Sequence, residues 1–133
     1  SGLLDCRKEV ITALELIINH GYPPVFTVAD RLCNLKPRLE EVFLMAVSLL
    51  RDALVYKCNN GESVLNSDLA DSIKIIAEKS GTEGLLGASE IFERACKETA
   101  GYYTLQAQHH FTEIVIMRAG KCLRSREPGN GGL

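Results

Sequence analysis

Residues 38–57 read RLEEVFLMAVSLLRDALVYK, and this run decides the fold. Leu39, Val42, Phe43, Ala46, Val47, Leu49, Leu50, Ala53 and Leu54 follow one another at helical steps, which is the spacing of an apolar helix face. Pro37 suits the opening of a helix, and Glu40 and Glu41 fall near its positive end. The middle is apolar nearly all round. A helix wet along one side would not carry Phe43, Leu44, Met45 and Val47 together, so this one is expected to run through the centre of a bundle.

Working outward, Cys6, Val10, Ala13, Leu14 and Ile17, with Leu3 ahead of them, form a stripe that predicts a first helix, ended at His20-Gly21 and Pro23. Pro24 opens a second, short helix with Val25, Val28, Ala29 and Leu32 inward. Its run of β-branched and aromatic residues leaves tertiary packing to hold it. Beyond the central helix, Asn59, Asn60 and Gly61 break the pattern. Asn66 or Ser67 is expected to cap a fourth helix that faces Leu69, Ile73 and Ile76 inward. Ser80-Gly81 ends it, and Thr82 is expected to cap a fifth with the stripe Leu85, Ala88, Phe92, Ala95, Cys96 and Thr99. After Gly101, a sixth is predicted from about Thr104 to Met117. Ala107, Phe111, Ile114 and Met117 take one side, and Leu105, His109 and Ile116 lie near another. No stretch alternates as a strand would. The expectation is all-α: one bundle of about six helices over residues 1–119, with a basic, glycine-rich tail over 120–133 that frays.

With 133 residues, 46% hydrophobic and 24% charged, the chain falls in the range of one globular domain that needs no staples. A net charge of −2 gives the whole molecule no pull on phosphate backbones, which disfavours nonspecific nucleic-acid binding. Arg118, Lys121, Arg124 and Arg126 outnumber Glu127 near the end. Cations at a helix C-terminus require no partner to explain them. The longest apolar run, residues 42–50, is far short of the roughly 20 residues that cross a bilayer. Cys6, Cys33, Cys58, Cys96 and Cys122 form no CxxC pair, and no signal-peptide pattern opens the chain. A reduced, cytoplasmic setting is expected.

Catalytic and cofactor motifs fare no better. Gly120-Lys121 fails as a phosphate loop, because Val115 stands where the first glycine belongs and Cys122 where Ser or Thr belongs. HExxH, a di-metal ExxH pair and GxSxG are missing. His109 and His110 point about 100° apart on a helix and suit no shared metal; one is expected against the bundle and the other in water. His20 reads as a cation at the end of the first helix. No catalytic, cofactor-binding or metal-binding residue is assigned.

From Leu39 onward the sequence resembles the C-terminal helical domain of bacterial DNA polymerase III clamp-loader subunits, the delta-prime subunits among them. The first matching word is the Leu49-Leu50-Arg51-Asp52 run followed by Leu54. The second, VLNSDLADSIKIIAEKSGTEGLL over residues 64–86, carries Asn66-Ser67-Asp68-Leu69. The third, IFERACKETAGYYTLQAQHHFTEIVIM over 91–117, resembles the closing helix pair. It departs from the family where Gly101, Tyr102 and Tyr103 replace an asparagine-rich turn, and Glu113 holds the acidic place. The gamma or tau subunit shares the Arg-Asp run; the Asn-Ser-Asp-Leu word tilts towards delta-prime.

The resemblance implies a collar domain, without enzymatic activity of its own, that joins the helical domains of gamma or tau and delta subunits. Nucleotide-binding-type modules would precede it in a longer chain, with Ser1-Gly2 as an expression remnant. Subunit contacts are expected from Arg51, Asp52, Tyr56, Tyr102, Tyr103, Phe111 and Arg118, since aromatic residues and arginines anchor interfaces. Arg51 and Asp52 point to different surfaces, so one of the two is open to capping or bridging helices within the domain while the other meets a partner. Tyr22 and Phe26 share the aromatic character. Two other readings stand beside it. One is a cytosolic adaptor that binds a partner helix in an apolar groove. The other is a small helical enzyme, for which Glu113, His109 and His110 are the acid–base candidates and would need an enclosing pocket.

Overall fold

The computed structural model describes residues 2–19, 24–59 and 63–125, with side chains from residue 6 onward. Six α-helices are found among them: α1 (Gly2–Asn19), α2 (Val25–Cys33), α3 (Leu39–Asn59), α4 (Ala70–Lys79), α5 (Thr82–Glu98) and α6 (Leu105–Arg124). Single 3-10 turns at Ser67–Leu69 and Thr99–Gly101 precede α4 and α6. The fold is an all-helical bundle, as the periodicity predicts, with no strand among the described residues. No described helix is long and apolar enough to cross a membrane. The expected stops at His20-Gly21-Pro23 and Asn60-Gly61, the side chain of Leu3, Tyr22, and the tail from 126 lie outside the described residues.

Helix α3 is the axis of the bundle. It packs on α5, α4, α1 and α2, while α6 covers α5 and α2. Phe43, Leu49, Leu50 and Ala53 are fully buried, and the Phe43 ring meets Phe92 of α5 at 5.8 Å and Phe111 of α6 at 6.3 Å between centroids. Truncating such a ring costs about 3–5 kcal/mol, which makes this contact one of the main ties between the three helices. One side of α3 is nevertheless wet at Glu41, Leu44 and Arg51, with Leu44 half exposed. The all-round apolar character reaches further than the burial does. Between α1, α2, α3, α5 and α6 the core leaves a wholly apolar void of about 10 Å³, room for about one water molecule.

Three sequence expectations need correction. Helix α6 ends at Arg124, not Met117, and Ala119, Gly120 and Leu123 are buried. The end of the helix is tied down by polar contacts that apolar spacing does not reveal. Arg124 donates to the Ile17 carbonyl at 2.6 Å, and Ser80 donates its hydroxyl to the Leu123 carbonyl at 2.9 Å. Residues 120–124 therefore belong to α6 rather than to a frayed tail.

The inward face of α6 is Phe111, Thr112, Val115, Ile116, Ala119 and Leu123, whereas Ile114 and Met117 are exposed. A helix wedged against both α5 and α2 buries a wide face, and successive four-residue steps from Phe111 rotate that face away from Ile114. Thr112 joins the buried face by donating its hydroxyl to the Gln108 carbonyl at 2.7 Å, the back-bond that lets threonine sit inside a helix.

Capping is the third correction. Neither Asn66 nor Thr82 caps through its side chain, and Gly81 occupies the N-cap of α5. The side chain of Thr104 does cap α6, accepting from Ala107 N at 3.0 Å.

Candidate subunit interface

The structure sorts the seven candidate interface residues into three groups. Asp52 is buried and belongs to the interior. Its Oδ1 accepts from Leu65 N at 2.9 Å, and its Oδ2 accepts from both Asn66 N and Asn66 Nδ2 at 2.7 Å. Asn66 in turn donates to Ser48 and accepts from Arg7 at 2.8 Å, and Arg7 makes a two-point bond to Asp68 at 3.0 and 2.7 Å. The Arg7 guanidinium holds the Asp68 carboxyl below its ordinary range. A buried carboxylate is tolerated because each oxygen finds a donor. This clasp binds the segment before α4 to α3 and α1, and it removes Asp52 from the interface.

Arg51, one residue earlier, points to water, and Tyr56 packs against the core from the far end of α3. They do not join the remaining residues. Tyr102, Phe111 and Arg118 do come together, at the α5/α6 face, with Tyr103 almost fully exposed in the connection between the two helices. The Tyr102 ring stacks on Phe111 at 4.6 Å and 20°. Phe111 thus links a surface ring to the Phe43–Phe92 pair within.

Two glycines shape that face. Helices α5 and α6 run antiparallel, and at one end a Cβ on Gly84 would collide with the Cys122 carbonyl, while one on Gly87 would lie 3.1 Å from the Cys122 sulfur. Only residues without a side chain allow this approach. Past that closed end, larger residues hold the helices apart and a groove of about 370 Å³ opens. Ile91, Ala95, Phe111, Ile114, Val115 and Cys122 supply its apolar lining. Arg94, Arg118 and Lys121, with Glu98 at the open end, supply its charge. None of these four charged groups is in an ion pair among the described residues. Ile91, Arg94, Ile114 and Lys121 escaped sequence reading as a group, because their meeting depends on how two helices splay.

The histidine candidates lie on another side, at the start of α6. His109 is mostly covered, its ring 4.5 Å from that of Phe26, while His110 is largely in water. One oxygen of Glu113 lies 4.0 Å from His109 Nδ1 and 3.7 Å from His110 Nδ1. His109 Nε2 has no partner among the described residues. The hollow they line with Phe26, Thr104 and Gln106, about 520 Å³, is open rather than enclosing. No group of three or more His, Cys, Asp or Glu among the described residues is placed to hold a metal ion.

All five cysteines are free thiols. Burial pushes the Cys33 and Cys96 thiols up from their ordinary range, which keeps them protonated and poorly nucleophilic at neutral pH. Cys58 is exposed. The chain matches no model of a known protein family, no curated protein and no solved structure.

Proposed function

We propose that this chain is a non-catalytic oligomerisation domain, the collar domain of a bacterial DNA polymerase III clamp-loader subunit of delta-prime type. In that role it helps assemble, in the cytoplasm, the complex that loads the sliding clamp onto DNA. Its partners are the helical domains of gamma or tau and delta subunits, and it meets nucleic acid only through the assembly. The observation that carries the reading is the meeting of two words. Asp52, from the Leu-Leu-Arg-Asp run, holds Asn66, from the Asn-Ser-Asp-Leu word, through both its backbone and its side chain. One residue from each of two words behind the resemblance therefore takes part in the same structural contact. The α5/α6 face supplies the matching surface, with aromatic anchors and an arginine of the kind that dominate interfaces.

Sedimentation of the purified chain with purified gamma or tau and delta helical domains at micromolar concentration tests the proposal. Co-migration is expected, with no ATP hydrolysis by the chain alone; separate migration of all components overturns it. The apolar lining of the same groove also favours the second reading, an adaptor for a partner helix. Co-migration with the clamp-loader domains separates the two.

A further inference from the structure

The groove between α5 and α6 has a particular chemistry. Its lining is apolar, while Arg94, Arg118 and Lys121 give its rim three positive charges against the single carboxylate of Glu98. This is opposite in sign to the chain as a whole, which carries −2. A ligand that fits must be apolar on one side and negative along the edges. The groove runs along residues 111–122 of α6, about 16 Å at 1.5 Å per residue, or about three turns of an occupying helix. Gly84, Gly87 and Cys122 close one end, because there the two helices touch. Glu98, beside Phe111, marks the other.

From this we infer that the α5/α6 groove binds an acidic amphipathic helix of a partner protein, its apolar stripe against Ile91 and Ile114 and its carboxylates against Arg94, Arg118 and Lys121. The inference rests on the reading of this face as an assembly surface and adds the chemistry of what it receives. A helix dipole sets the direction. The positive N-terminus lies at Glu98 and the negative C-terminus at Lys121, so the bound helix runs parallel to α6. A nucleic-acid strand fits less well. Three cations around an apolar floor offer few phosphate contacts, and Glu98 repels them.

The test uses a 14-residue peptide with leucines at i, i+3, i+4 and i+7 flanked by glutamates. A second peptide carries lysine at each glutamate, and a single-stranded 15-nucleotide thymidine oligomer is the third probe. Each is fluorescently labelled and titrated against the intact chain by anisotropy. The acidic peptide is expected to bind at least tenfold more tightly than either of the others. Arg94→Glu combined with Lys121→Glu is expected to reverse the preference in favour of the lysine peptide, with an unchanged circular dichroism spectrum. A spin label on the peptide N-terminus is expected to broaden the amide signals of Glu98 and Tyr102 more than that of Lys121.

Equal binding of the two peptides, binding of neither, a preference for the oligomer, or a preference that survives the double substitution overturns the inference. The two readings fail separately. Co-migration with clamp-loader domains that survives the double substitution leaves the assembly reading in place and removes the acidic occupant. Tight acidic-peptide binding without co-migration does the reverse.

Discussion

The clasp beneath α3 and the groove between α5 and α6 hold charge in opposite ways. In the clasp, Asp52, Asn66, Arg7 and Asp68 satisfy one another across three parts of the chain. In the groove, Arg94, Arg118 and Lys121 line a surface with no ion-pair partner among the described residues. A buried polar group without a partner costs about 1–3 kcal/mol, so the first arrangement belongs to stability. Charge left at a surface contributes little to folding and is available to a second molecule. Neighbours Arg51 and Asp52 make the same contrast within one turn of helix.

The largest expected effect breaks the clasp. Asp52→Ala strips acceptors from Leu65 N, Asn66 N and the Asn66 amide, and is expected to lower stability by about 3 kcal/mol in urea denaturation. Asp52→Asn keeps one acceptor oxygen and is expected to lose less. Next comes the closed end of the groove. Gly84→Ala places a methyl group against the Cys122 carbonyl, and forcing α5 and α6 apart is expected to cost about 1–3 kcal/mol in the same assay.

Acid acts on the outer part of the clasp. The Asp68 carboxyl is held low by Arg7, so in the unfolded chain it binds its proton at higher pH than in the folded one. Its contribution is complete above the ordinary carboxylate range and disappears as pH falls through the depressed folded value. Arg7→Met should flatten that acid limb. Glu15 has the opposite sign, because burial raises its carboxyl above the ordinary range and Lys79 offsets this in part. Its share of stability is largest in acid and declines as pH rises through the carboxylate range. Glu15→Gln is therefore expected to leave stability unchanged or slightly higher at pH 7 in thermal melts.

The smallest effect on folding completes the comparison. Arg118→Ala is expected to shift stability by less than about 0.5 kcal/mol and yet to weaken co-sedimentation with partner domains. An equal loss of both would mean that the groove is part of the scaffold.

Much of this architecture was legible in the residues themselves. The spacing through Val42, Phe43, Ala46, Leu49, Leu50 and Ala53 announces the central helix, and Leu85, Ala88, Phe92 and Ala95 announce α5, because a buried face leaves a period in the chain. The end of α6 was hidden. What secures Leu123 and Arg124 is the hydroxyl of Ser80, just past α4, and the carbonyl of Ile17 in α1, and such distant partners leave no local pattern. Phe111, Arg118 and Tyr102 could be picked by type as interface formers. Asp52 looked the same by type, and only the segment folded over it shows that it faces inward. The groove itself was beyond reach, since its width is set by Gly84 and Gly87 against Cys122, a contact between residues about 35 positions apart.

Hydrogen–deuterium exchange of the chain, alone and mixed with gamma or tau and delta helical domains, tests the proposed surface most directly. Slowed exchange is expected over residues 91–98 and 111–122, with the wet side of α3 around Glu41, Leu44 and Arg51 unchanged. Protection confined to α3, or none anywhere in a mixture that co-sediments, would contradict the assignment of assembly to the α5/α6 face.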